Sequence, residues 1–146
     1  MFRCTFAIVL FFCSNFATAK DNVEIKIGSP GTPIVVPVKI GMREYRFLVD
    51  TGMGTTVLDD SLRGNLTRDD RVTFVIDNQR IPAYRSPPLF LSNFALPGSH
   101  VLCRELSGLV QSFGVQFDGI LGMRQLKGMR LISSVRRLPP VLQFTI

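Results

Sequence analysis

The sequence predicts an all-β domain of barrel or sandwich type with one or two short helices. Three observations favour this class. Short runs rich in β-branched and aromatic residues recur along the chain, turn-forming clusters separate them at short intervals, and helical spacing is confined to brief segments. A length of 146 residues suits one domain.

The strand signals come from alternation and residue type. Residues 23–27 alternate apolar and polar side chains, as in a half-buried strand. Residues 34–40 are β-branched, and Pro37 within them favours an edge strand or a bulge, because proline cannot donate to a ladder. Residues 45–49 form a strand that runs directly into Asp50. Further strands are predicted at 55–58, 71–76, 81–84, 89–91, 100–102 and 141–146.

Helical signals are brief. The Asp-Asp-Ser sequence at the start of residues 59–66 can cap a short helix. Residues 105–113 place their apolar side chains at helical spacing, and residues 125–129 fit a single helical turn. Residues 117–123 are expected to form a loop that enters a buried strand.

Residues 1–19 have the three parts of a secretory signal. Arg3 supplies the positive start, residues 6–13 are apolar, and residues 17–19 form a small-x-small cleavage site. The apolar run is shorter than the roughly 20 residues that span a bilayer. We therefore expect a mature domain at 20–146, exported to the periplasm or the medium, without a stable membrane span. An N-terminally membrane-anchored form is the alternative.

The inventory of nucleophiles and ligands excludes several enzyme classes. Signal removal would leave one cysteine, Cys103, which lies in an apolar stretch and is predicted to be a buried small hydrophobe. His100 is the single histidine, so a Ser-His-Asp or Cys-His site would have to use it, and a zinc site would lack ligands. No metal or cofactor is expected. The net charge of +6 comes without a nucleic-acid motif, so we expect a solvated basic surface and no nucleic-acid partner.

Two motifs carry the chemistry. In residues 47–52 (FLVDTG), three apolar residues deliver Asp50 to the loop at a strand end, where Thr51 can hydrogen-bond nearby backbone and Gly52 lets that backbone pass close to the carboxylate. In residues 118–122 (DGILG), two apolar residues and a glycine can pack a strand behind that loop. The Asp-Thr-Gly tripeptide alone is common by chance, whereas the pair of motifs is much more specific than either part.

Residues 47–59 (FLVDTGMGTTVLD) and 117–123 (FDGILGM) resemble the retropepsin-like aspartic proteases, particularly their bacterial single-domain members. The second segment also resembles the corresponding part of a pepsin lobe. The resemblance implies a retropepsin-like closed barrel or sandwich that forms a single lobe. It also implies an aspartic endopeptidase that acts on polypeptides without a cofactor.

The resemblance assigns a role to each motif residue. Asp50 would be the catalytic carboxylate, and Thr51 would join the hydrogen-bonded base that braces two such loops. Gly52 would lie under the carboxylate. Loop support from behind would come from three consecutive residues, Ile120, Leu121 and Gly122. One Asp-Thr-Gly per chain implies a symmetric homodimer with an Asp50 from each subunit.

Two neighbouring carboxylates can share one proton, since both cannot ionise cheaply. The ionised carboxylate would take a proton from the attacking water, and the protonated one would stabilise the carbonyl oxygen. A monomer would be inert.

The chain departs from the family pattern at three places. Met53 and Gly54 stand where the family commonly has a small residue followed by a polar one. The best candidate for the flexible hairpin that closes over substrate is residues 73–84, which contain no glycine. Pro139-Pro140 interrupts the tail, where an interface strand is expected. The candidate tip of the flap is formed by Asp77, Asn78 and Gln79.

The tail after these prolines alternates Leu142, Phe144 and Ile146 on one side, and we expect a dimer interface to bury them. Two alternatives to the enzyme stay open. One is a non-catalytic retropepsin-like module for peptide binding or dimerisation, which Met53 and Gly54 favour. The other is an exported β domain that holds an apolar ligand.

Overall fold

The computed structural model describes residues 22–26, 29, 31–134 and 141–145. The predicted secretory signal, the Pro139-Pro140 interruption and Ile146 lie outside the described residues. No helix in the described part of the chain has the length and apolar character needed to cross a bilayer.

The described residues form twelve strands, two short α-helices and one 3₁₀ helix, which spans Asp60–Asn65. The α-helices are α1 (Ser107–Phe113) and α2 (Met123–Leu126). The strands are β1 (Asn22–Lys26), β2 (Val35–Ile40), β3 (Arg43–Val49), β4 (Val57–Asp59), β5 (Arg68–Ile76), β6 (Gln79–Arg85), β7 (Leu89–Leu91), β8 (Phe94–Ala95), β9 (His100–Arg104), β10 (Gly119–Leu121), β11 (Arg130–Ser134) and β12 (Val141–Thr145).

Nine strands form one open sheet in the order β5-β6-β9-β4-β10-β3-β2-β7-β8. The mostly-β class predicted from the sequence is confirmed, but the expectation of a closed barrel was wrong. The β5–β6 hairpin joins the sheet only where Tyr84 and Arg85 pair with β9. The strands β5 and β8 are the two ends of this order, and they do not pair with each other.

Pro37 lies inside β2, which has β3 on one side and β7 on the other. The pairing with β7 begins only at Val38, so Pro37 borders an open stretch on that side. Its missing N–H therefore removes no bond to β7, and proline is tolerated there as it is on an edge strand.

A second sheet has three strands, with β12 between β1 and β11. Leu142 and Phe144 on β12 are buried beside Ile25 of β1 in the main core. The expectation that a second subunit would cover these side chains was therefore wrong. The chain buries them itself, because β1 and β11 flank β12 and hold its apolar face against the large sheet.

The core is divided into two clusters of buried apolar residues, of which the smaller lies beside the two sequence motifs. Its fully buried members come from β3, β4, β9, β10 and the segments next to α1. They are Leu48, Val57, Leu102, Leu106, Phe117 and Ile120. This cluster supports the floor of the candidate site.

Candidate active site

The first motif forms the loop between β3 and β4, and the second motif supplies β10, which lies between these two strands. Ile120 pairs with Leu48 in parallel and with Val57 in antiparallel orientation. The backbone N–H of Asp50 donates to the carbonyl oxygen of Leu121 at 3.1 Å. The structure thus brings the two motifs, which are about seventy residues apart, into direct contact at the Asp50 loop.

The Asp50 carboxylate is held by its own loop. The backbone N–H of Gly52 donates to Asp50 Oδ1 at 2.8 Å. A Cβ atom at position 52 would lie 3.2 Å from the same oxygen, which is tighter than ordinary van der Waals contact. A glycine at this position therefore permits the close approach of backbone and carboxylate. Thr51, between the two residues, is exposed.

Gly122 closes the loop from behind. Its N–H donates to Thr56 Oγ1 at 3.0 Å, and the next N–H, from Met123, donates to the carbonyl oxygen of Met53 at 2.8 Å. A Cβ atom at position 122 would lie 2.5 Å from the carbonyl carbon and oxygen of Thr55. Because backbone atoms cannot turn aside as a side chain can, only glycine fits this contact.

A buried polar network that the sequence analysis missed completes this support. The hydroxyl of Thr56 donates to Gln125 Oε1 at 2.6 Å, and the Gln125 amide nitrogen donates to Ser99 Oγ. Thr56 and Gln125 are both fully buried. A buried glutamine has no clear sequence pattern, and Gln125 is 69 residues away in the chain from its partner Thr56. Its position in the turn directly after Gly122 is the signal that could have identified it.

His100 connects the loop to the base of the β5–β6 hairpin. Its carbonyl oxygen accepts a hydrogen bond from the Thr55 hydroxyl at 3.0 Å, while its ring nitrogen Nε2 lies 3.3 Å from Asp69 Oδ2. Hydrogen bonds from Arg71 and His100 hold the pKa of the Asp69 carboxyl well below its usual range. The ring of His100 is therefore used in a structural contact, and the Ser99 hydroxyl donates to the His100 carbonyl oxygen at 3.2 Å.

Besides Asp50, the acidic residues within segments 47–59 and 117–123 are Asp59 and Asp118, and both accept backbone hydrogen bonds. Asp118 Oδ2 accepts the N–H of Arg46 at 2.8 Å. Asp59 caps the 3₁₀ helix by accepting the N–H of Ser61, and it also accepts the N–H of Leu106 at 3.1 Å. Burial raises the pKa of Asp59, but these hydrogen bonds outweigh that effect and hold the pKa below its ordinary value.

The candidate flap is a β-hairpin with a two-residue turn. Asp77 and Asn78 have φ values of 50° and 62°, and β5 and β6 pair up to Ile76 and Gln79. Consecutive left-handed residues twist in the sense that strand pairs require, and Asn and Asp tolerate this conformation without glycine. The hairpin arm thus forms as the sequence predicts, and Ile76 and Gln79 line a cavity beside the Asp50 loop.

Two cavities border the Asp50 loop. The first, of about 570 Å³, is lined by apolar residues that include Met53, Val57 and Ile120 and by charged residues that include Arg63 and Glu105. The second, of about 690 Å³, is lined by the Asp50 carboxylate together with Leu48. Both volumes are in the range of known ligand sites. Asp50 therefore lines an open depression with both polar and apolar walls.

The fold is similar to that of a solved structure. The retropepsin-like aspartic protease from Rickettsia conorii is similar with a TM-score of 0.53 and 15% sequence identity, over 87% of this chain and 95% of that chain. The chain has a retropepsin-like fold. The retroviral protease-like domain of Ddi1 from Leishmania major is also similar, with a TM-score of 0.47 and 20% identity, over 69% of this chain and 80% of that chain.

No protein-family model and no curated protein sequence matches the chain. At the identity observed, the structural likeness concerns the retropepsin-like fold alone.

Proposed function

We propose that the protein is an aspartic endopeptidase that acts as a homodimer, with Asp50 of each subunit forming the catalytic pair. The observation that carries the proposal is the position and hydrogen bonding of the Asp50 carboxylate. Asp50 directly follows β3, in which Phe47 and Leu48 are buried. Its carboxylate accepts the N–H of Gly52 at 2.8 Å, and the residue lines an open cavity of about 690 Å³. A carboxylate held this way is oriented before substrate arrives, which is what general acid–base chemistry requires.

The need for a second chain follows from the composition of this cavity. Among the described residues that line it, Asp50 alone carries a carboxylate. Water activation by a carboxylate pair requires one ionised and one protonated member. A two-fold axis close to Asp50 would bring the same residue of a second copy into the site, and the exposed Thr51 would be available to brace the two loops.

The proposed reaction is the attack of an activated water on the peptide carbonyl. The ionised Asp50 takes a proton from a bound water, and the oxygen of that water attacks the peptide carbonyl carbon. The protonated Asp50 of the other subunit donates a hydrogen bond to the carbonyl oxygen as negative charge develops there. Collapse of the tetrahedral intermediate with proton transfer to the nitrogen releases the two fragments.

Cleavage of an unfolded protein by purified residues 20–146 from acidic to neutral pH tests the proposal. We expect cleavage at acidic or mildly acidic pH, inhibition by a statine-type compound, and loss of activity in Asp50→Asn. The matched control is Asp118→Asn, because that carboxylate accepts a backbone N–H outside the cavity and its substitution leaves Asp50 in place. A folded dimer without activity at any pH would contradict the proposal.

A non-catalytic peptide-binding module of the same fold is the second candidate, and the position of Met53 favours it. Met53 is half-buried and forms part of the wall of the 570 Å³ cavity, where its bulk reduces the space beside the loop. Peptide binding by the folded dimer without hydrolysis would support this reading.

We also propose that the protein is exported after cleavage behind residues 17–19, on the sequence pattern alone. The N-terminal sequence and mass of the protein recovered from expressing cells test this. A chain that retains residues 1–19 would contradict export by cleavage and favour the anchored form.

A further inference from the structure

The β5–β6 hairpin has a break in its ladder close to where it joins the sheet. Asp69 on β5 pairs with Ala83, but the next paired residue, Thr73, already faces Pro82. Three residues of β5 therefore have no partner on β6 in this register, and such a bulge bends the strand that carries it. We call residues 73–82, beyond the break, the arm of the hairpin. The break is the place where the direction of the arm is set.

The carboxylate of Asp69 lies at this break and contacts groups from three strands. Its Oδ1 accepts the backbone N–H of Arg71, inside the break, and also the Arg71 Nε–H, both at 3.2 Å. Its Oδ2 lies 3.4 Å from Arg85 Nε on β6 and 3.3 Å from His100 Nε2 on β9. Arg85 and His100 face each other in the β6–β9 pairing, so the carboxylate connects the break directly to the junction with the sheet. We call these four residues the hinge cluster.

The hinge cluster stabilises one conformation of the break. The Asp69 side chain is 7% exposed, whereas those of Arg71 and Arg85 are 78% and 60% exposed. A buried carboxylate is unfavourable unless it is paired, so the conformation that brings these partners together is favoured. Hydrogen bonds from Arg71 and His100 hold the pKa of the Asp69 carboxyl well below its usual range. The carboxylate therefore stays ionised at the mildly acidic pH at which cleavage is expected.

The arm reaches the candidate site through side chains near its tip. Ile76, Gln79 and Ile81 line the 570 Å³ cavity together with Met53 of the Asp50 loop. Ile76 and Ile81 also pack, partly buried, against the smaller core cluster. Apolar packing has no preferred direction, whereas hydrogen bonds and ion pairs have a defined geometry. The orientation of the arm is therefore set mainly by the polar contacts at its base.

The strand β9, which carries His100, is itself fixed to the Asp50 loop. The Thr55 hydroxyl donates to the His100 carbonyl oxygen at 3.0 Å, and the N–H of Leu102 donates to the Thr56 carbonyl oxygen at 3.0 Å. Both threonines are buried. The hinge cluster therefore ties the arm to a strand that is held against the loop.

We propose that the hinge cluster is a positioning device that holds the arm of the β5–β6 hairpin in place beside the Asp50 loop and so controls the entry of polypeptide into the cavity. Asp69 is a positioning residue, because it acts through Arg85 and His100 and does not line the cavity. The inference rests on the endopeptidase function proposed above for the identity of the substrate. The motion of the arm is measured without substrate, so failure of the hinge and failure of that function are distinguishable.

Amide hydrogen exchange followed by mass spectrometry measures the opening of the arm in the purified protein. Asp69→Asn removes the charge that Arg85 and His100 share. We expect exchange in residues 73–82 to become about tenfold faster, because hydrogen bonds to charged groups are the stronger class, and the increase in residues 35–40 of β2 to be at least about threefold smaller. Arg85→Gln removes one partner and keeps the carboxylate, so it should give a smaller increase in the arm.

Asp70→Asn is the matched control, because it makes the same change of charge one residue away. The Asp70 side chain is 80% exposed and forms its ion pair with Arg68 at 2.6 Å, outside the hinge cluster. Exchange in the arm of this variant should equal that of the wild type. Circular dichroism verifies that every variant is folded.

Cleavage kinetics give a second measurement that a general loss of stability would not reproduce. Asp69→Asn should raise KM about tenfold while kcat falls less than about threefold. The arm borders the cavity, whereas the Asp50 carboxylate is held by the N–H of Gly52 in its own loop. Asp70→Asn should keep both wild-type values.

Three results would overturn the inference. Wild-type exchange in the arm of both Asp69→Asn and Arg85→Gln shows that the cluster does not hold the arm. An equal increase in residues 73–82 and 35–40 shows a contribution to global stability alone. A fall in kcat at constant KM contradicts control of entry. If the wild type cleaves nothing but exchange in the arm changes as expected, the endopeptidase function is removed and the hinge is retained.

Discussion

The Thr56 hydroxyl holds two elements of the candidate site together, and its removal has a calculable cost. It donates to Gln125 Oε1 at 2.6 Å and accepts the N–H of Gly122 at 3.0 Å. Thr56→Val keeps the side-chain volume but leaves both partners buried without a hydrogen bond. Each such group costs about 1–3 kcal/mol, so we expect the free energy of unfolding to fall by about 2–6 kcal/mol.

Urea unfolding followed by far-UV circular dichroism measures this loss, since the chain has no tryptophan to report by fluorescence. All samples should be compared at one protein concentration, because association adds to apparent stability. Thr73→Val on β5 is the matched control. Thr73 is exposed, so the change there should stay within about 0.5 kcal/mol.

A double mutant separates the network from general packing effects. Thr56→Val combined with Gln125→Leu removes both ends of the 2.6 Å hydrogen bond, so its cost should be smaller than the sum of the single costs by about 1–3 kcal/mol. A loss for Thr56→Val no larger than that of the control, or strict additivity in the double mutant, would refute the assigned role of this network.

Three further predictions concern backbone fit, charge and turn geometry. Gly122→Ala places a Cβ atom 2.5 Å from the Thr55 carbonyl, so we expect the free energy of unfolding in urea to fall by about 1–3 kcal/mol and cleavage to be lost. A variant with wild-type stability and activity would show that this close contact does not restrict position 122. Hydrogen bonds led by those from Arg71 lower the pKa of Asp69, so its ionised form stabilises the fold above the unfolded pKa of about 3.9, and that contribution is lost as pH falls below this value. The urea midpoint should therefore fall more steeply below about pH 4 in the wild type than in Asp69→Asn, and parallel curves would count against this. Asn78 has φ of 62°, so Asn78→Val should lower the free energy of unfolding by about 1–2 kcal/mol, whereas Asn78→Gly should leave it unchanged. Equal urea midpoints for the two variants would show that this turn conformation does not restrict the residue at position 78.

Local patterns in the sequence predicted most of the strands. Alternation and β-branched residues identified β1, β2 and the β5–β6 hairpin, because those signals depend on neighbouring residues. The two motifs were expected to meet, and the structure pairs Leu121 with Val49 beside Asp50. A strand that runs into a polar loop, followed later by a short apolar strand with a glycine, contains enough information to anticipate this contact.

Features that depend on distant pairing could not be predicted. Whether the sheet closes depends on which strands pair at its two ends, and no local pattern in the sequence reports that. The strand β11 has no clear alternation and forms by pairing with β12. The same limit applies to the Thr56–Gln125 hydrogen bond, because it forms only when remote segments pack together.

Subunit mixing tests the central claim, that one site uses Asp50 from two chains, most directly. Wild-type and Asp50→Asn chains are unfolded, mixed and refolded together, and cleavage is measured at a constant amount of wild type. If only dimers with two intact Asp50 residues are active, an equal amount of the variant should lower the rate to about a half, and a ninefold excess to about a tenth. A rate that stays constant or rises at every ratio, with mixed dimers shown to form, would mean that a single Asp50 suffices and would contradict the shared site.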